Sequence, residues 1–233
     1  MTGPSAADTS DIGELEASLR RRFRVTETTV DVGARSLIVL HPANADDLIS
    51  EADYVRDERL PYWADIWPSA RVLAARVIVA RGEGRSFIEL GCGAGLVASA
   101  AACAGFDVVA TDYYDDALCF ARVNAHRNSG RAVAVRHLDW RQLPSDVGQF
   151  DRVVASDVLY EHTYGPLVAE ALARFLSPGG YALVADPGRI ARGEFLDSLA
   201  PLGLEVVDQE DMAYRDGEIH QTIALIRIER RPG

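Results

Sequence analysis

The residues best suited to chemistry in this chain fall in one run, Phe87-Ile88-Glu89-Leu90-Gly91-Cys92-Gly93-Ala94-Gly95. An apolar strand carries an acid, and glycines follow at every second position. Glycine has no Cβ, so the backbone can turn sharply and a ligand can lie directly against it. The small-residue stretch from Leu96 to Ala104 predicts a helix whose N-terminal amides point at that ligand. Val108-Val109-Ala110-Thr111 predicts a second strand ending in Asp112, where an acid accepts the ribose hydroxyls of a bound nucleoside. Strand, acid, glycines, helix, strand and acid in this order predict a site for an adenosine-containing cofactor.

The spacing and the first acid select among such cofactors. A dinucleotide site uses G-x-G-x-x-G and offers its helix start to a pyrophosphate. This chain has G-x-G-x-G, with Glu89 just ahead of it. A carboxylate there suits a cationic ligand and repels a phosphate. S-adenosylmethionine brings an ammonium, a sulfonium and a ribose without phosphate, and is the expected cofactor, with S-adenosylhomocysteine as product. The plainer alternative is that Glu89 caps a loop and the glycines only close a tight turn. The companion Asp112 weighs against it.

Elements must hold these residues in place. Pro68 suits the first turn of a helix, and Ala70, Leu73, Ala74, Val77 and Ile78 form its buried stripe. From Ser86 onward strands and helices alternate: strand 86–90, helix 95–104, strand 107–112, helix 115–128 and strand 132–138. Strand 150–156, helix 165–176, strand 181–186 and helix 191–200 continue the series, with Pro178-Gly179-Gly180 as a turn. Such alternation requires a parallel sheet covered on both faces. Leu204–Asp208 and Ile219–Ile228 then predict two strands with no helix between them, joined through the turn signal Asp216-Gly217. The fold class expected is α/β, a Rossmann-like, doubly wound, mostly parallel seven-stranded sheet closed by an antiparallel hairpin.

Ahead of this unit, Asp11–Arg22 predicts a short helix and Val25–Leu40 a hairpin turning at Gly33-Ala34. Residues 44–60 are polar and mixed, compatible with a short helix and a substrate lid. The expected organisation is an N-terminal extension over 1–60 and the sheet domain over 61–233.

With the glycine run, the strand order and the terminal hairpin together, the chain resembles class I S-adenosylmethionine-dependent methyltransferases. The phrases Trp63-Ala64-Asp65-Ile66-Trp67-Pro68-Ser69-Ala70, Leu138-Asp139-Trp140, Ser156-Asp157-Val158-Leu159-Tyr160 and Asp186-Pro187-Gly188-Arg189 narrow the likeness. They are similar to the seven-strand group that contains electron-transfer-flavoprotein β-subunit lysine methyltransferase, other protein-lysine methyltransferases and nicotinamide N-methyltransferase-like proteins. The resemblance covers residues 60–230.

The resemblance implies that Gly91, Cys92, Gly93 and Gly95 lie against the methionine part of the cofactor. It implies that Asp112 accepts both ribose hydroxyls, that Trp140 lies beside the adenine, and that Asp139 is near the exocyclic amine. Trp67 and Ser156 would flank the cofactor, and Asp157 and Tyr160 would line the entrance for the methyl acceptor. Each position also has a plainer reading. Trp63 and Trp67, four apart, could be core packing; Asp157 could cap a turn; Asp186 and Arg189 could pair with each other as a loop brace. Glu161 and His162 read as exposed loop residues.

Transfer of a methyl group from a sulfonium needs a neutral nucleophile held in line and shielded from water. A lysine amine, with a free pKa of about 10.4, must first lose a proton. An apolar aromatic channel favours that loss, and Asp157 with Tyr160 would align the amine. The acceptor expected is a basic protein or a small amine. The competing readings are an oxidoreductase using NAD on the same layout and a non-catalytic cofactor-binding scaffold.

Composition sets the remaining bounds. At 233 residues, 48% hydrophobic and 25% charged, the chain suits a soluble domain with a modest extension. Its net charge of −11 argues against a nucleic-acid substrate. No apolar run approaches the ~20 residues that cross a bilayer. Met1–Asp11 lacks the apolar core of a secretory signal and reads as a disordered lead-in. Cys92, Cys103 and Cys119 show no paired spacing and the histidines no metal-ligand spacing, which predicts a cytoplasmic protein with no metal.

Overall fold

A computed structural model describes residues 6–48 and 61–232. In chain order the elements are α1 (Ala6–Arg22), β1 (Val25–Val32), β2 (Arg35–Pro42), α2 (Pro68–Ile78), β3 (Ser86–Leu90), α3 (Leu96–Cys103) and β4 (Asp107–Asp112). They continue with α4 (Asp115–Ser129), β5 (Ala134–His137), β6 (Phe150–Ser156), α5 (Tyr164–Phe175), β7 (Leu176–Asp186), α6 (Arg192–Leu199), β8 (Leu204–Asp216) and β9 (Ile219–Arg230). Short 3₁₀ turns lie at Ala45–Leu48, Tyr62–Ala64 and Ala200–Leu202.

Seven strands form one sheet in the order β5-β4-β3-β6-β7-β9-β8. β3 pairs parallel with β4 and β6, and β9 runs antiparallel to both β7 and β8. This is the α/β architecture expected, with the terminal hairpin in place. The winding reverses between β3 and β6, and an open sheet binds its ligand at the carboxyl ends of such a pair. Leu90 pairs with Thr111 on one side and Ala155 on the other. Gly91, Asp112 and Ser156, the residues that follow, therefore share one level at the edge of the sheet.

α3 is small and apolar on every side, and Leu96 to Ala102 are all buried. That composition suits a helix packed between α2, α4 and the sheet. α5 turns Val168, Ala169, Leu172 and Phe175 toward the opposite face, a helical stripe buried against β6 and β7. The antiparallel pair β1–β2 is not an appendage: Val30, Val32, Leu37, Val39 and Leu40 share one hydrophobic core with Ala98 and Phe120.

Asn124 and Asn128, one turn apart on α4, complete the free edge of β2. The Asn124 Oδ1 accepts the Leu40 amide at 2.8 Å, and its Nδ2 donates to the Leu40 carbonyl at 2.7 Å and to the Ala94 carbonyl at 2.8 Å. Asn128 makes the same pair of bonds to Ile38, both at 2.9 Å. The hairpin is thereby tied to the glycine run.

Several boundaries differ from expectation. α1 starts at Ala6, so Ala6–Asp11 of the expected lead-in is helical, and residues 1–5 lie outside those described. The lid considered over 44–60 also falls mostly outside them; the described part is the turn Ala45–Leu48. Pro178-Gly179-Gly180 does not separate a helix from a strand. It is a bulge within β7, where Ser177–Gly180 stand opposite Asp151 alone. β8 runs to Asp216 instead of Asp208, because from Glu210 to Ala213 every residue is exposed and no alternation marks it as a strand. Among the described residues no helix is long and apolar enough to cross a membrane.

Candidate active site

A cavity of about 590 Å³ opens at the carboxyl edge of β3, β4 and β6. Trp67, Gly91, Cys92, Gly93, Gly95, Asp112, Asp139, Trp140, Ser156, Asp157 and Tyr160 all line it. Residues far apart in the chain are brought together there because the strands end at one level.

The loop after β3 is held by its neighbours. The Cys92 amide donates to the Thr111 carbonyl at 2.8 Å, and the Gly95 amide to the Cys92 carbonyl at 2.8 Å. Gly91 adopts φ 70°, and a Cβ there would lie 3.0 Å from Val158 Cγ1 and 3.5 Å from the Trp140 ring. Its bare backbone keeps the cavity floor open. Gly95 serves a different purpose: a Cβ there would lie 2.4 Å from the Ala121 Cα, so its absence lets α3 and α4 approach. Gly95 lines the cavity, but its smallness is demanded by helix packing.

Asp112 is 8% exposed and is gripped by backbone. Its Oδ2 accepts the Gly93 amide at 2.9 Å and its Oδ1 the Tyr114 amide at 3.0 Å. Burial raises its pKa, and the amides of Tyr114, Gly93 and Tyr113 work against that rise by favouring the charged form. Each carboxylate oxygen has a second lone pair, so the group keeps acceptor capacity toward the cavity.

Glu89 departs from expectation. It is 1% exposed and does not line the cavity. Lying within β3, short of the sheet's edge, its carboxyl is turned toward the first turn of α3, where the Ala98 amide favours its charged form. One oxygen, Oε2, is buried without a partner, and burial lifts the pKa well above the ordinary carboxylate range. Glu89 is thus set back from the cavity wall, behind the glycine loop.

At the far wall Trp140 stands edge-on to Tyr164, with ring centres 5.4 Å apart. Asp139 lines the cavity, but its carboxylate is clasped by the Arg141 guanidinium at 2.7–3.1 Å. The residue expected to face an exocyclic amine already carries a cation. Across the cavity Trp67 donates its Nε1–H to the Tyr62 carbonyl at 2.8 Å. Trp63 packs against Phe23, Tyr114 and Phe120, which supports its plainer reading as core.

Asp157 is the one non-glycine with positive φ, 59°, among the described residues. Its side chain is 3% exposed; Oδ1 accepts the Arg189 Nε–H at 2.5 Å, and Oδ2 is buried without a partner. Aspartate enters this left-handed region more readily than most residues. The loop brace between Asp186 and Arg189 exists in a different form. Asp186 accepts the Gly188 amide at 2.8 Å and the Arg189 amide at 3.2 Å, while the Arg189 side chain goes to Asp157.

Residues 88–184 match the model described as "Methyltransferase domain". The chain is 34% identical over 131 residues to a ubiquinone biosynthesis O-methyltransferase of Alkalilimnicola ehrlichii, covering 52% of each chain. It is 33% identical over 153 residues to a protein N-lysine methyltransferase of Danio rerio, covering 61% of this chain and 69% of that one. The chain belongs to the S-adenosylmethionine-dependent methyltransferase family. The crystal structure of magnesium protoporphyrin IX methyltransferase from Synechocystis, with bound S-adenosylmethionine, superposes with a TM-score of 0.58 over 81% of this chain and 95% of that one. At 18% identity that likeness is one of fold. The chain spans about half the length of the first relatives it matches, from 39% to 54%.

Several residues of the cavity wall were not among the candidates: Tyr62, Tyr113, Tyr114, Arg141, Tyr164 and Arg189. Tyr62 and Arg141 adjoin residues that had been singled out, and adjacency alone could have flagged them. Glu161 lines the cavity mouth, whereas His162 is exposed and pairs with Glu194 at 3.4 Å.

Proposed function

We propose that this chain binds S-adenosylmethionine in the cavity at the head of the sheet and methylates a nitrogen, that of a lysine on a basic protein or of a small amine. The observation that carries this reading is the charge inventory of the cavity. Its only arginines among the described residues, Arg141 and Arg189, are each bonded to a carboxylate, Asp139 and Asp157. So paired, the two cations add no net positive charge to a wall that also carries Asp65, Asp112 and Glu161, and that balance disfavours a pyrophosphate. Acids and aromatic faces suit a ligand bearing a sulfonium and an ammonium.

The residues present fit that cofactor. Gly91 leaves space at the loop, Asp112 offers acceptor oxygens for ribose hydroxyls, and Trp140 offers a flat face for the adenine. Cys92, Gly93, Gly95, Trp67 and Ser156 complete the wall around it, and Asp139 presents its carboxylate–guanidinium pair. When bound, S-adenosylmethionine supplies an electrophilic methyl group. The protein orients the acceptor through Asp157 and excludes water with Tyr62, Tyr160 and Tyr164. Burial pushes the Tyr160 phenol above its ordinary range, so it keeps its proton and is no base.

The net charge of −11 supports a basic acceptor and disfavours nucleic acid. The chain itself contains no lysine, so it presents no lysine amine to its own site. Three free thiols support a reducing, cytoplasmic setting. Calorimetric titration with S-adenosylmethionine and NAD separates the two cofactor readings. A tritiated-methyl assay on lysate proteins and on amine metabolites then separates an enzyme from a binding scaffold, which would label neither.

A further inference from the structure

We propose that Arg189 is a positioning residue that cancels the charge of Asp157, so that the acceptor amine is bound neutral. The inference rests on the amine-methylating reading above and deepens it. A bare carboxylate orients an amine well but stabilises its ammonium form. By analogy with carboxylates beside arginine, one contact of this kind displaces a pKa by about one to three pH units. An ammonium has no lone pair with which to attack carbon. A site that aligns an amine through an acid must therefore offset that acid.

The geometry supplies the offset. Asp157 sits in a left-handed turn at the end of β6, pinned by its amide to the Ala185 carbonyl at 3.0 Å. One oxygen carries the Arg189 guanidinium at 2.5 Å; the other is buried with no partner, on a residue that lines the cavity. Arg189 is held in turn. Asp186 gathers the Gly188 and Arg189 amides, and the guanidinium lies 5.2 Å over the Trp67 ring. A planar guanidinium between a carboxylate and an indole stays charged and in place. It leaves Asp157 one unpartnered oxygen, which a small turn of the carboxylate brings to the N–H of an entering amine, within a pair whose net charge is zero.

The other charged or titratable groups nearby do not supply this balance. Asp139 is clasped by Arg141, Asp112 by backbone amides, and Asp186 by backbone amides with Arg192 4.0 Å away. Cys92, Tyr62, Tyr113, Tyr160 and Tyr164 line the wall with thiol and phenol groups that carry no positive charge in either protonation state, and Asp65 and Glu161 are acids there. Among the described residues, Arg189 is the cation bonded to Asp157. The amine that enters has given one proton to water, and the lone pair so freed is what alkylation of nitrogen requires.

The test counts protons. Protein loaded with S-adenosylhomocysteine is titrated at pH 7.5 with n-butylamine, the end of a lysine side chain, in buffers of different ionisation enthalpy. The native protein should release about one proton per amine bound, because the free amine is almost wholly protonated at that pH. Arg189→Gln should bind the ammonium and release close to none, and Arg189→Lys, which keeps the charge, should release about one. Equal proton release by the native protein and Arg189→Gln overturns the role of Arg189 while leaving the amine reading intact. If Arg189→Gln fails to fold or takes no amine, Arg189→Lys decides: a released proton supports the proposal, and its loss overturns it. No amine binding by the native protein overturns the amine reading and this inference with it.

Discussion

The amide of Gly93 donates to the Oδ2 of Asp112 at 2.9 Å, so the glycine loop and the acid across from it hold each other in place. A residue proposed as a ligand for ribose is also a strut for the loop proposed to meet the other end of the cofactor. Asp112→Ala should therefore weaken S-adenosylmethionine binding by more than the loss of a hydroxyl contact. A hydrogen bond to a charged group is worth about 1.5–3 kcal/mol, so a loss of about 100-fold or more is expected in calorimetry. An Asp112→Ala variant that bound the cofactor within tenfold of the native protein would remove the carboxylate from the site.

Gly91 and Gly95 share a motif but should fail differently. Gly95→Ala places a Cβ 2.4 Å from the Ala121 Cα at a φ of 83°. Overpacking and strain together predict a loss of roughly 2–4 kcal/mol in urea denaturation. Gly91→Ala meets Val158 and Trp140 at 3.0 and 3.5 Å, side chains that can yield. It should cost less stability and more cofactor affinity. The reverse ranking in paired denaturation and calorimetry would contradict the assignment of packing to Gly95.

Glu89 makes stability depend on pH. Its folded pKa is raised by burial, so between the unfolded value near pH 4 and that raised value the folded state holds the extra proton. Stability supplied by this group is present at acid pH and is lost as pH rises through the window. Glu89→Gln removes the term while keeping an oxygen that can accept the Ala98 amide. Its stability relative to the native protein should rise between pH 5 and pH 8, by about 1.4 kcal/mol for each pH unit of displacement. A difference that stays flat across that range would show the carboxyl to be solvated in the folded protein.

Tyr160 should act through its ring. Its phenol is held protonated, and the ring stands 5.1 Å from Tyr62 and 5.2 Å from Tyr164. Tyr160→Phe should keep most of the turnover and the same pH profile, whereas Tyr160→Ala should lose turnover as water enters. Equal damage from both variants would assign the hydroxyl a role in the reaction.

What could be read from the chain beforehand was what lies close together in it. The glycine run, Asp112 and the strand ends that carry Trp140 and Asp157 are local patterns, and each reached the cavity wall. The pairing of Asp157 with Arg189, 32 residues apart, depends on how α5 and β7 return the chain to the cavity. Spacing does not encode that return, so Arg189 was matched with Asp186, its nearer acid. The depth of Glu89 was not legible either, because strand alternation does not say how far a side chain lies from the sheet's edge. The outer half of β8 was missed because exposure on both faces erases the period on which strand recognition depends.

The Asn124 amide, shared between Leu40 and Ala94, bears on how the protein can be cut or varied. Trimming the chain to residues 61–233 would remove Leu40, the strand partner of the amide that also holds Ala94 in the glycine turn, although no residue lining the cavity had changed. Drift in the N-terminal hairpin is thus constrained from a distance, and a fragment that keeps every ligand-facing side chain would still lack the splint behind them.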